Sequence, residues 1–79
     1  MKHIKVLGTG CRNCDTTYNI IQAAAQQAGV EIELEKVTDI AEIMRYGAMS
    51  TPGVVVDDKL VHAGGLPGPD AVRQWVAQG

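Results

Sequence analysis

The chain of 79 residues lacks phenylalanine and has little aromatic volume, with one tryptophan and two tyrosines. Hydrophobic residues nevertheless make up 46% of the sequence, which is enough for a packed core and argues against disorder. That core must be built mainly from Ile, Val, Leu and Ala. A chain of this length is expected to form one small domain over residues 1–79.

Long hydrophobic runs and clusters of basic charge are also missing. No apolar segment approaches the roughly 18 residues that cross a bilayer, and the apolar stretch at residues 4–7 is too short for a signal peptide. Seven Lys and Arg residues against nine Asp and Glu give a net charge of −2, without the basic stripe of a nucleic-acid-binding protein. We therefore expect a cytoplasmic protein with no nucleic-acid partner and no membrane insertion.

Cysteine is limited to Cys11 and Cys14, too few for the multiply bridged framework of small secreted domains. The pair follows a short apolar run and precedes a helical pattern, so Cys11 is expected at a helix N-terminus. Such a terminus carries unpaired N–H groups and a partial positive charge, which favour the thiolate that attacks disulfides or binds soft metals. The pair is therefore a redox switch or a metal clip, with two inert thiols as the third interpretation.

The spacing of the pair predicts different roles for its two sulfurs. One helical turn brings them close enough for a disulfide, which needs Cα atoms roughly 4.4–6.8 Å apart. Cys11, at the exposed mouth of the helix, is expected to attack a substrate disulfide, while Cys14 resolves the mixed disulfide from behind. Gly8 and Gly10 leave room for a partner's backbone near the sulfur. Arg12 either steadies the thiolate or contacts an acidic partner, or it is a solvated surface residue.

Hydrophobic periodicity predicts seven elements in the order β-α-β-α-β-β-α. The βαβ start requires a parallel pair of strands, while the final hairpin adds antiparallel strands. The result is an α/β fold with a four-stranded mixed sheet and three helices on its two faces. The expected strands are residues 4–7, 30–35, 53–56 and 59–63. The first helix is expected from residue 11 or 12 to 28, with an inner face of Cys14, Tyr18, Ile21, Ala25 and Ala28. A short helix at 40–46 should face inward with Ile40, Ile43 and Met44, and a last helix from Pro69 should bury Val72, Trp75 and Val76.

A second motif, Ser50-Thr51-Pro52-Gly53, stands directly before the β-branched strand. A C-x-x-C after the first strand, a Thr-Pro before the third, a hairpin and a final helix together resemble the thioredoxin-like fold. Over its whole length the chain is similar to the smallest members of that fold, the glutaredoxin-like or redox-active disulfide proteins. From the residues alone, a plain proline at the start of a strand is the favoured interpretation of Pro52.

The resemblance implies a minimal thioredoxin-like fold and a thiol–disulfide oxidoreductase. It also implies a cis-proline at Pro52 facing the disulfide, with Thr51 presenting its backbone to a substrate strand. The redox-active Cys11–Cys14 disulfide would then serve without a further cofactor. The implied partners are protein or small-molecule disulfides and an upstream thiol reductant.

Departures from the better-known families leave two alternatives open. Arg12-Asn13 replaces the Gly-Pro of thioredoxins and the Pro-Tyr of glutaredoxins, and Gly64-Gly65 only faintly resembles a glutathione-binding segment. A soft-metal module for Cu(I) or Zn(II) would use the same two thiolates. Thr9 stands where such modules usually carry Met, and a helix follows the second strand, so both features count against it. A non-catalytic redox sensor on the same fold is the other alternative.

Overall fold

The seven elements occur in the predicted order in the computed structural model, which describes residues 2–77. The first helix begins and ends where the periodicity indicates, and Gly29 ends it with a positive φ of 69°. The prediction of an α/β fold with three helices is confirmed. The elements are β1 (Lys2–Leu7), α1 (Arg12–Ala28), β2 (Ile32–Val37), α2 (Ile40–Arg45), β3 (Gly53–Val56), β4 (Lys59–Ala63) and α3 (Pro69–Ala77).

The four strands form one mixed sheet in the order β2-β1-β3-β4. Strand β1 is parallel to β2 and antiparallel to β3, and β3 forms a hairpin with β4. Strands β1 and β3 are therefore the inner strands. All four residues of β3 are buried, which explains its continuous Gly-Val-Val-Val run, since both of its faces are covered.

The larger part of the core lies between the sheet and helices α1 and α3. Alternate residues of β1 and β3 point to this side because strand side chains have a period of two. The predicted stripe of α3 is fully buried here, and the buried members of this cluster are Ile4, Val6, Ile21, Ala25, Val54, Val56, Val72, Trp75 and Val76.

Helix α1 differs from the predicted pattern at two positions. Thr17 is fully buried, while Ala28 is exposed, so the apolar face is turned slightly from the one expected. Burial of Thr17 is possible because its hydroxyl donates a hydrogen bond of 2.7 Å to the Asn13 carbonyl one turn earlier. Tyr18 is half-buried against the edge of the same core.

The other face of the sheet is covered by α2 and the segment after it. Leu7, Val37, Ile43, Ala48 and Val55 form a second, smaller cluster there. The prediction that Ile40 and Met44 also face inward is wrong, because they are 62% and 69% exposed. A helix of six residues has fewer than two turns, so it presents a single buried side chain to the sheet.

Candidate active site: the Cys11–Cys14 disulfide

Cys11 and Cys14 are joined by a disulfide at the junction between β1 and α1. Their Cα atoms are 5.1 Å apart, inside the range that the bridge requires. Cys11 is the N-cap of α1, with an extended backbone at φ −73° and ψ 160°. The turn before it includes Gly10 with φ +91°, a conformation that costs glycine little.

The sulfur of Cys11 is held against the open end of the helix. Its Sγ accepts a hydrogen bond of 3.1 Å from the backbone N–H of Cys14, one of the donors that a helix start leaves unpaired. The same donor and the positive end of the helix dipole favour negative charge on this sulfur once the bridge is opened.

The two sulfurs differ in accessibility. Cys14 is only 5% exposed, whereas Cys11 is half-buried at the surface. Gly8 allows Cys14 to reach its position, because a Cβ atom at Gly8 would overlap the Cys14 Sγ atom. Only the Cys11 side of the bridge is therefore open to an approaching molecule.

Thr51, the residue before Pro52, lies close to the turn that precedes the disulfide. The peptide bond between them is cis, in agreement with the resemblance, and Pro52 is buried while Thr51 is exposed. A Cβ atom built on Gly8 would lie 3.8 Å from the Thr51 Cβ atom as well as against Cys14. Gly8 is therefore close to both the disulfide and Thr51.

A second loop adjoins this segment; it contains Gly64-Gly65, whose faint resemblance to a glutathione-binding segment was not enough to assign it to the site. The Gly64 N–H donates a hydrogen bond of 2.8 Å to the Pro52 carbonyl. A Cβ atom at Gly64 would lie 2.6 Å from the Ser50 hydroxyl oxygen, so the two loops are in close contact. Next to them, Met49 is 97% exposed and Leu66 is 50% exposed.

The hairpin register explains why these loops meet. Gly53 pairs with Ala63, and the register shifts between Val54 and Val55, which is a β-bulge in which the two strands do not match one to one. The residue after Ala63 is therefore opposite Pro52. An unbulged hairpin counted from the Asp57-Asp58 turn would place residue 63 there instead.

The other candidates from the sequence lie around this centre. Arg12 is exposed in the first turn of α1. Asp15, in the same turn, forms an ion pair of 3.1 Å with Lys36 of β2. In the part of the chain from residue 2 to 77, no group of three or more His, Cys, Asp and Glu side chains is placed to hold a metal ion.

Comparison with known proteins decides the family. Residues 2–77 match the thioredoxin domain family. A thioredoxin of Methanocaldococcus jannaschii is 37% identical over 71 residues, which cover 90% of this chain and 81% of that protein. The chain belongs to the thioredoxin family. A thioredoxin of Methanothermobacter thermautotrophicus is 28% identical over 74 residues, 94% of this chain and 96% of that protein.

Membership of the thioredoxin family gives the Cys11–Cys14 bridge its function. The protein is a thiol–disulfide oxidoreductase with a C-x-x-C disulfide at a helix N-terminus. Membership of the family points to protein disulfides as the class of substrate and to a thiol reductant as the source of electrons. Among the helices within residues 2–77, none is long and apolar enough to cross a membrane.

Proposed function

We propose that this protein reduces protein disulfides, with Cys11 as the attacking nucleophile and Cys14 as the resolving cysteine. The observation that carries the assignment is the difference between the two sulfurs. Cys11 is at the surface and accepts the Cys14 N–H, whereas Cys14 is 5% exposed behind it. An incoming disulfide can align with the first sulfur only.

The exchange proceeds in two displacements. The Cys11 thiolate attacks one sulfur of the substrate disulfide, a mixed disulfide forms, and the other substrate sulfur leaves as a thiolate. Cys14 then loses its proton and attacks Cys11, which releases the second substrate thiolate and closes the Cys11–Cys14 bridge. The substrate has gained two electrons and, once its thiolates are protonated, two protons. The electrons are those of the cysteine pair, so the proposal includes no further cofactor.

Thr51, Pro52, Gly10 and Arg12 are proposed to bind the substrate. Thr51 is exposed next to the buried Pro52, so its backbone can pair with an extended segment of a substrate. Gly10 carries no side chain over the approach to Cys11. Arg12, exposed beside the nucleophile, can contact acidic groups of a partner.

Protein substrates are favoured over small disulfides by the apolar residues beside the site. Met49 and Leu66 stand exposed on the two loops that meet at Pro52 and Gly64. Methionine is unbranched and adapts to differently shaped apolar partners. A small polar disulfide such as oxidised glutathione would gain little binding energy from such an apolar surface.

We further propose an upstream reductant and a cytoplasmic location. An upstream dithiol reductant returns the Cys11–Cys14 bridge to the reduced state. A cytoplasmic location is supported by the cysteine content, since stable structural bridges are typical of oxidising compartments and this chain has only the one reactive pair. Fractionation of cells with an antibody against the protein tests the location.

Trapping of substrates tests the roles of the two cysteines. In Cys14→Ser the mixed disulfide cannot be resolved, so a disulfide-bonded substrate such as insulin should stay covalently attached to Cys11. Cys11→Ser should neither trap nor turn over the substrate. Mass spectrometry of the species formed by the pre-reduced variants without added thiol measures trapping, and insulin reduction with dithiothreitol as the electron donor measures turnover.

The alternatives predict different results in the same assays. Full turnover by Cys14→Ser would contradict the dithiol mechanism. A redox sensor would form the bridge reversibly but exchange slowly with every disulfide offered. A soft-metal module would retain one equivalent of Cu(I) or Zn(II) with sub-micromolar affinity after purification under reducing conditions.

A further inference from the structure

An acidic side chain stands one helical turn from the proposed nucleophile. The Asp15 N–H donates a hydrogen bond of 3.1 Å to the Cys11 carbonyl, so the two residues occupy positions i and i+4 at the start of α1. Four residues of helix correspond to a rise of about 6 Å, so Asp15 follows Cys11 at a distance of about one turn along the axis. A carboxylate at this position opposes formation of a thiolate on Cys11.

Lys36, on the neighbouring strand β2, binds this carboxylate. Its Nζ atom lies 3.1 Å from Asp15 Oδ1 and 5.0 Å from the centre of the Tyr18 ring. Ion pairing and the cation–π contact together fix the ammonium group over the first turns of α1. Both charged side chains are about half exposed, so the pair contributes little to stability, but it changes the charge next to Cys11.

The segments around the sulfur contain few other ionisable side chains. Helix α1 contributes Arg12 and Asp15, with the Cys14 thiol behind, and β2 contributes Lys36. The β1–α1 turn (residues 8–10) and the loop at residues 50–52 contain no ionisable side chain. Besides Arg12, the Asp15–Lys36 pair is therefore the main source of side-chain charge near Cys11.

We propose that Lys36 is a positioning residue for thiol–disulfide exchange: it holds and neutralises the Asp15 carboxylate, and thereby favours the reactive thiolate of Cys11. The inference rests on the proposed role of Cys11 as the nucleophile. Without Lys36 the carboxylate is left uncompensated and free to rotate toward the sulfur. Without Asp15, Lys36 has no carboxylate to hold.

The test measures the pH profile of Cys11 alkylation by iodoacetamide in a Cys14→Ser background, where Cys11 is the only thiol. A unit charge about 6 Å away in water shifts such a profile by about half a pH unit, or roughly threefold in rate below the midpoint. Lys36→Gln should move the midpoint upward by about this amount, and Asp15→Asn should move it downward. Lys36→Arg keeps the ion pair and should restore the original midpoint.

A double variant separates action through Asp15 from a direct effect of Lys36. In the Asp15→Asn background, Lys36→Gln should shift the midpoint by less than half of its shift beside Asp15. The upward shift should also shrink in 1 M salt, because half-exposed charges are screened. Arg73→Gln is the matched control, since it removes one positive charge from the ion pair of Arg73 with Asp70 in α3 and should leave the profile unchanged.

Two results would overturn the inference: an unchanged midpoint in Lys36→Gln, or an equal shift with and without Asp15. Neither result contradicts the proposed exchange function, provided that Cys11→Ser abolishes insulin reduction. Turnover by Cys11→Ser would instead contradict the role of Cys11, whatever the alkylation profile.

Discussion

The ammonium group of Lys2 donates a hydrogen bond of 2.9 Å to the carbonyl oxygen of Trp75. The two residues are 73 positions apart in sequence, and the bond joins the first strand to the last turn of α3. Lys2 is 8% exposed, and within Pro69–Ala77 no basic residue occupies the last turn. A positive charge from β1 therefore compensates the negative end of the α3 dipole.

Replacement of Lys2 should destabilise the fold. Lys2→Met keeps most of the side-chain volume but removes the donor, at a cost of about 1–3 kcal/mol in the free energy of unfolding. Urea unfolding at pH 7 measures this value, and Tm should fall by at least about 4 °C. Lys59→Met, at an exposed lysine of β4, is the control and should change the stability by less than about 0.5 kcal/mol.

Addition of one methyl group at Gly8 should make the disulfide easier to reduce. In Gly8→Ala the new Cβ atom overlaps the Cys14 sulfur and lies 3.0 Å from the Cys14 Cβ atom, and a free thiol can rotate away more easily than a bridged one. Overpacking should destabilise the oxidised form by about 1–3 kcal/mol relative to the reduced form. This corresponds to a rise of about 20–60 mV in reduction potential. Redox titration against glutathione, read by thiol alkylation, measures the shift.

Gly68→Ala is the matched control for that change. A Cβ atom at Gly68 has no neighbour within 4 Å, so the added methyl group meets open space. Its reduction potential should equal that of the unmodified protein. An unchanged potential in Gly8→Ala would show that the turn can move aside, and would contradict the close packing of Gly8 on the bridge.

Loss of the exposed methionine beside the site should affect large substrates only. Met49→Ser should lower kcat/KM for insulin by about three- to tenfold, since about 1 kcal/mol of apolar contact is lost. Reduction of a small aromatic disulfide should proceed at the original rate. Met44→Ser, the same change on the exposed side of α2, should leave both rates unchanged, and an equal loss in the two variants would contradict a specific role for Met49.

Alkaline pH should weaken the fold through Lys5. A hydrogen bond of 2.5 Å from Lys5 Nζ to the Tyr46 hydroxyl oxygen is the main cause that raises the pKa of Lys5 above 10.5, and the Glu35 carboxylate adds to it. A raised pKa means that the charged form is favoured in the folded state. Its contribution is therefore complete below about pH 10.5 and is lost as the pH rises through the folded-state value.

Thermal unfolding between pH 9 and 12 tests this dependence. Lys5→Met should lose less stability across the range than the unmodified protein does, and Tyr46→Phe should behave similarly because it removes the acceptor. Equal alkaline slopes in Lys5→Met and the unmodified protein would assign the pH dependence to other groups.

The elements and the cysteine pair could be predicted from the sequence because they depend on local signals. Strict alternation and three-to-four spacing identify strands and helices, and Cys11 is placed by the strand-to-helix junction. The contact of Pro52 with Gly64 depends instead on a register shift in the hairpin. No residue type marks that bulge, so the second loop could not be assigned to the site in advance.

Burial was mispredicted where tertiary packing overrides periodicity. Ile40 and Met44 fit an inward helical face but are exposed, because a six-residue helix reaches the sheet with one side chain only. Thr17 was not expected in the core, since its burial requires the local bond to the Asn13 carbonyl. The pairing of Asp15 with Lys36 joins distant segments, and no spacing rule connects them.

The unequal cover of the sheet has a consequence for hydrogen exchange. Two helices of 17 and nine residues protect one face, whereas α2, with six, protects the other. Amide protons of α1, β1 and β3 should exchange slowly, and those of α2 and the following segment up to Thr51 much faster. On this expectation the proposed nucleophile belongs to the slowly opening half of the molecule and the proposed substrate-binding loop to the rapidly opening half, so the loop could adjust to different partners while the bridge keeps its position.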